Sequence, residues 1–169
     1  MGALCPACLV LHPPDFPEPE DEPPTILSTE PSSADLQVVD RTQSEPVEFV
    51  VHVFDANEED VLSAQAFVDW AIDADSAGSI DIVAADDEDA RHRVVTASLR
   101  PGRDFAQRGC HVVEIDVIDD ASGWIDERTV EADVGKVTAT WFVLAHDGDG
   151  YEDISLASCP GADRGAGQP

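Results

Sequence analysis

From Pro46 onward the chain alternates apolar and polar residues with a period of two. Val47, Phe49, Val51 and Val53 alternate with Glu48, Val50, His52 and Phe54. Successive side chains of an extended chain point to opposite faces, so this pattern builds half-buried strands and fits no helix. It recurs over Leu62–Trp70, where a helix over Glu58–Trp70 is the alternative and the alternation with Phe67, Val68 and Trp70 favours a strand, and again around Ile80 and Ile82, over Arg91–Leu99, over His111–Val117 and over Val137–Val143. Polar, turn-forming clusters separate these runs: residues 55–60, 73–78, 85–90 and 119–123. Short strands at this spacing predict a single all-β sandwich or barrel, since α/β folds need helical periods between their strands. No internal repeat is present.

The charge balance narrows the class of partner. Thirty-six acidic residues face nine basic ones, a formal net charge of −27, and Lys136 is the only lysine. Phosphate backbones and anionic headgroups are bound by neutralising Lys and Arg, so neither nucleic acid nor a bare anionic membrane is an expected partner. No apolar run approaches the roughly 20 residues of a membrane-spanning helix.

The N-terminal third has a different character. Residues 1–12 are small and apolar and contain Cys5 and Cys8, and residues 13–45 are rich in proline and carboxylates. Proline lacks the ladder donor and the carboxylates repel one another, which predicts a disordered, extended tether over 13–45. The sandwich is then expected over 46–146, with an acidic loop and tail over 147–169.

The segment ending in Ala7-Cys8 resembles the signal of bacterial lipoproteins, in which the cysteine after a small residue carries the lipid. The resemblance implies lipidation at Cys8 and a membrane reached only through that anchor, with the acidic loops facing outward. Cys5-Pro-Ala-Cys8 opens a proline-rich coil, where a redox CxxC opens a helix after a strand. In an oxidising compartment Cys110 and Cys159 make the expected disulfide. Closing that loop of about 50 residues removes chain entropy worth roughly 3–4 kcal/mol in the loop-closure account.

The stretch from Leu99 to Asp119 resembles the E–F corner and F strand of immunoglobulin-like and fibronectin type III-like domains. Gly109-Cys110-His111 stands where those families have Gly-x-Tyr, so His111 takes the place of the corner tyrosine, whose hydroxyl bonds back to upstream backbone. The strand around Val137–Val143 then corresponds to strand G. The resemblance implies an immunoglobulin-like antiparallel β-sandwich of about seven strands in a bacterial cell-envelope lipoprotein. Trp70 and Trp141 are expected in its core.

Candidate chemistry is sparse. Asp147-Gly-Asp149-Gly-Tyr-Glu-Asp153 resembles half of a calcium loop, with Asp147, Asp149 and Asp153 as oxygen ligands for Ca²⁺. Asp55, Asn57 and Asp60, or Asp73 and Asp75, would complete the shell if they shared its end of the sandwich. Trp124, flanked by acids in the loop after Asp119, is the candidate binding aromatic for a protein or glycan. The histidines at 12, 52, 92, 111 and 146 are not joined to a Gly-x-Ser-x-Gly or His-Glu-x-x-His motif. The expectation is a non-catalytic module without a required cofactor, lipid-anchored in the bacterial envelope or secreted. The alternative is a calcium-dependent adhesion or carbohydrate-binding module.

Overall fold

A computed structural model of the chain describes residues 22–69, 78–86, 89–119, 123–124, 129–130 and 135–148. They form eight strands in two four-stranded sheets. In chain order these are β1 (Thr25–Glu30), β2 (Gln37–Asp40), β3 (Val47–Phe54), β4 (Ser63–Val68), β5 (Ser79–Asp86) and β6 (Asp89–Leu99), then a single helical turn α1 (Pro101–Asp104), β7 (Gly109–Ile118) and β8 (Lys136–His146). One sheet runs β1-β3-β6-β5 and the other β2-β8-β7-β4. This is an immunoglobulin-like sandwich, with β6, β7 and β8 in the places of strands E, F and G.

Alternation sets which side chains meet. Phe49, Val51 and Val53 of β3 and Val95, Ala97 and Leu99 of β6 are wholly buried on one sheet. Val113, Ile115 and Val117 of β7 and Trp141 and Val143 of β8 are wholly buried on the other. Both sets belong to one core cluster. Across its middle the Phe49 and Trp141 rings meet edge to face at 5.2 Å, a geometry that adds to the gain from their burial. The Trp141 indole N–H donates to the Pro31 carbonyl at 2.8 Å, so the residue also fixes the chain where it leaves β1 for the opposite sheet. Trp141 is thus a core residue, as expected; Trp70 lies outside the described residues.

Two expectations need correction. The tether expected over 13–45 gives way to strands at Thr25, and the sandwich begins there and not at residue 46. Each of these early strands buries little. The Ile26 side chain of β1 packs partly against the core and Val39 of β2 is 3% exposed, too few positions for an alternating pattern to stand out. Backbone pairing holds them instead: Ile26 opposite Val53 and Glu30 opposite Val50 on β1, Gln37 beside Val143 and Asp40 beside His146 on β2. The second correction is that β2 runs parallel to β8, so this sheet is mixed and not wholly antiparallel.

The register defines two poles. Phe54 of β3 pairs with His92 of β6, and β4 begins opposite Ile118. The 55–62 loop and the start of the β7–β8 connection therefore share one pole. Val47 pairs with Leu99, and Gly109 with Ala145, so α1, the E–F corner and residues after His146 share the other. The chain enters at the first pole, because Thr25 pairs with Phe54. Pro23 there packs so closely on Gly135 that a Cβ added to the glycine would stand 2.6 Å from Pro23 Cα.

Trp141→Ala should lower the unfolding free energy by about 3–5 kcal/mol, since it opens a large cavity at the inter-sheet contact. Equilibrium urea denaturation of the full chain checks this, and Trp141→Phe should recover most but not all of the loss because the Pro31 carbonyl stays without its donor.

Candidate functional site

The densest polar constellation lies at the E–F pole, around His111. Its ring is buried at 6% exposure because β7 turns its odd positions inward. The ring lies edge-on to Phe105, with 5.4 Å between centroids. Nδ1 faces Asp69 Oδ2 at 2.5 Å and Nε2 faces the Gln107 carbonyl oxygen at 2.9 Å. The second contact bonds the ring to backbone four residues upstream, the job a corner tyrosine does with its hydroxyl. Asp69 also accepts from the Val112 amide at 2.9 Å through Oδ1, and its own amide donates to the Val112 carbonyl at 2.8 Å. This three-point grip holds Asp69 at a φ of 54°, a left-handed backbone that Asp tolerates better than most residues.

Both ring nitrogens of His111 face acceptors, so both must carry a proton for the two bonds to form together. The geometry calls for imidazolium. Burial of the ring opposes the charged form, but the Asp69 hydrogen bond, the Gln107 carbonyl and the Asp69 charge outweigh it. The nearby Arg41 guanidinium subtracts a smaller amount, and the net effect raises the pKa above its ordinary 6.5.

Arg41, just after β2, closes the same pole. Nε donates to the Phe105 carbonyl at 2.6 Å, one terminal nitrogen to the Ala106 carbonyl at 2.7 Å and the other to Asp147 Oδ1 at 2.9 Å. One rigid fork thus ties β2, the E–F corner and the residues after β8 together. Beside it Asp40 accepts from the Thr42 hydroxyl at 2.7 Å, the Thr42 amide at 2.8 Å and the Gly148 amide at 3.2 Å. Those bonds, with the Thr42 hydroxyl first, hold its carboxyl below the usual range.

The proposed calcium ligands fare unevenly. The Asp147 carboxylate is engaged by Arg41, while Asp149 and Asp153 lie outside the described residues. Asp55, Asn57 and Asp60 sit at the opposite pole, so they do not join Asp147, and Asp73 and Asp75 lie outside the described residues. Asp55 is buried and accepts from the Asn57 amide at 2.9 Å through Oδ1. Among the described residues no group of three or more His, Cys, Asp or Glu side chains is arranged to hold a metal ion.

Trp124 is half-buried at the pole where the chain enters. Its indole N–H donates to Ser63 Oγ at 3.1 Å, and its backbone bridges Val130. The ring is thus seated on the start of β4. Cys110 lies on β7 opposite Leu144, and Cys8 and Cys159 lie outside the described residues.

Asp69 and Arg41 of this pole were not legible as site residues, and neither was the pair Asp116–Lys136 toward the other pole. Asp116 is 1% exposed and accepts from Lys136 Nζ at 3.1 Å and Thr138 Oγ1 at 2.6 Å. A lone lysine in so acidic a chain was the one available signal, and it neutralises a buried carboxylate on the neighbouring strand.

No family model and no curated protein matches the chain. Among solved structures it is similar to the major subunit of aggregative adherence fimbriae type I from Escherichia coli, at 13% identity over 75% of this chain and 97% of that one, with a TM-score of 0.37. So loose a superposition adds nothing to a fold that strand pairing already establishes.

The raised His111 pKa links protonation to folding. The folded chain holds the proton more tightly, so the contribution is full below about pH 6.5, the unfolded value, and is lost as pH rises through the folded pKa. His111→Asn should cost about 1.5–3 kcal/mol at pH 5.5, the worth of hydrogen bonds to a charged group. It should also flatten that segment of the stability profile, which urea denaturation at pH 5.5, 7 and 8.5 reads directly.

Proposed function

We propose that the chain is a non-catalytic structural or interaction module of the bacterial cell envelope, anchored through Cys8 or secreted. The observation that carries this reading is how the polar clusters are used. At the E–F pole each guanidinium nitrogen of Arg41 and both ring nitrogens of His111 bond to the fold itself. A reaction centre needs side chains that converge on a substrate, whereas these converge on backbone carbonyls and on each other. They brace the sandwich. The acidic surface left over keeps the domain solvated and repels polyanions.

The entry point of the chain gives the module an orientation. With the anchor at the N-terminal end, the pole carrying residues 55–62 and Trp124 faces toward the attachment, and the Arg41–His111 pole faces away. On this reading the 55–60 cluster, which shares the pole at which Pro23 meets Gly135, faces the attachment, and the acidic residues at the other pole face outward. The engagement of Asp147 by Arg41 favours the structural reading over the calcium-dependent one.

Expression of the full-length gene in a bacterial host with a labelled fatty acid tests the anchor. Label is expected in the wild-type protein and lost in Cys8→Ser. An unlabelled protein that fractionates with the cytoplasm would reject the envelope reading. In the same preparation, millimolar calcium is expected to leave the melting temperature unchanged within about 1 °C, whereas saturating binding at 100 times Kd would add about 2.7 kcal/mol and a clear upward shift.

A further inference from the structure

Two cations hold the backbone of the E–F corner, and only one of them can give up its charge in water. Arg41 takes the Phe105 and Ala106 carbonyls, and a guanidinium keeps its proton throughout the ordinary pH range. His111 takes the next carbonyl, that of Gln107, through Nε2, while Nδ1 is turned to Asp69. An imidazole that loses one proton can donate to only one of these two acceptors. At the other contact lone pair then faces lone pair. The charged carboxylate is the stronger acceptor, so the remaining proton belongs on Nδ1. The contact that fails is the one to Gln107.

We propose that His111 is a proton-operated latch on the E–F corner, holding the backbone around Gln107 while both ring nitrogens carry protons and releasing it, with the rest of the sandwich intact, when one is lost. The surroundings confine the release. Upstream, Phe105 is wholly buried and Arg41 keeps its own two carbonyls. Downstream, Gly109 is paired with Ala145. Its φ is 137°, and a Cβ placed on it would meet nothing within 4 Å, so glycine serves backbone freedom there and not space, as a joint requires. Across the ring, the Val112 amide and carbonyl hold Asp69 independently of the imidazole.

Few charges bear on the ring. Asp69 faces it from beyond the end of β4, and Arg41 acts on it with smaller effect from beyond β2, its own charge met by Asp147. Asp104 of α1 is turned to the Arg100 amide and to Arg103, and His146 to the Gly148 carbonyl. On β8 the uncharged Val143 stands opposite His111. The hydrogen bonds and the Asp69 charge together favour the protonated ring. The latch is therefore shut below about pH 6.5 and opens as pH rises through the raised value.

An NMR titration of the isotope-labelled full chain, from about pH 5.5 to 9, tests the latch. The His111 ring should titrate in one step and pass to the Nδ1–H tautomer. The Gln107 and Arg108 amide signals should shift with the same midpoint, while the amides of Asp69, Val112 and the core strands stay in place. Corner amides that do not follow the ring overturn the latch. So does an Nε2–H tautomer accompanied by movement of Asp69, since the release would then lie on the β4 side. Asp69→Asn supplies the opposite sign. An asparagine also tolerates the left-handed backbone; it can accept from Val112 and donate to Nδ1, so a neutral ring with its proton on Nε2 satisfies both neighbours. The corner shifts of the wild type should be lost in this variant over the same pH range. A variant whose corner is loose at every pH, as a purely structural pair would give, rejects the proposal, and so does one whose corner still opens with rising pH. The wild-type titration decides the question by itself if the variant fails to fold.

Discussion

The contact between Phe49 and Trp141 is the point on which the sandwich depends. One ring belongs to β3 in the first sheet and the other to β8 in the second, and both are wholly buried. Two sheets that pack face to face gain most of their stability by excluding water between them, and a large aromatic pair at the centre supplies that area along with a preferred angle. The indole N–H, which would be costly to bury unpaired, is turned to use on the Pro31 carbonyl. That bond sets where the chain turns from β1, paired in one sheet, toward β2, paired in the other. Packing, polar satisfaction and topology thus meet in one side chain.

The second constraint is charge. A chain of net −27 has few cations with which to settle carboxylates that folding takes from water, and it places them sparingly. Lys136 serves the buried Asp116 and protonated His111 serves the part-buried Asp69, while Arg41 reaches the exposed Asp147. Asp116 and Asp69 each accept from a neutral donor as well, the Thr138 hydroxyl and the Val112 amide, so no cation stands as the sole compensation for a carboxylate drawn out of water at these two places. Other carboxylates that the fold buries are met by amides or by an arginine, Asp55 by the Asn57 amide, Asp119 by the Gly135 amide and Asp104 by Arg103. The acidity is a property of the surface, and the fold is held by a core of ordinary composition.

The central strands were legible because each turns three or more residues into the core. Val47–Phe54, Arg91–Leu99 and His111–Val117 carry alternation long enough to exclude a helix, and all three are strands in the structure, which turns Val51, Val95 and Ile115 with their same-parity neighbours into the core. β1 and β2 were hidden in what reads as tether, since an edge strand with one or two inward side chains leaves no periodic trace and draws its order from the neighbouring backbone. The role of His111 at the corner was legible from its spacing after Leu99, because a tyrosine-like reach to upstream carbonyls depends on local geometry. Its partner Asp69 was not, because a separation of 42 residues is closed only when β4 pairs with β7.

By itself, then, the sequence determined the fold class, the acidic balance and the places of the long strands, all of which follow from local periodicity and composition. Only the tertiary structure decided that the edge of the domain begins at Thr25, that the 55–60 carboxylates stand at the opposite pole from Asp147, and that Phe67, Val112 and Leu144 are covered on a face that should be wet. These outcomes depend on which strands become neighbours. Neighbourhood is set by long-range backbone pairing and burial, and neither leaves a period in the chain.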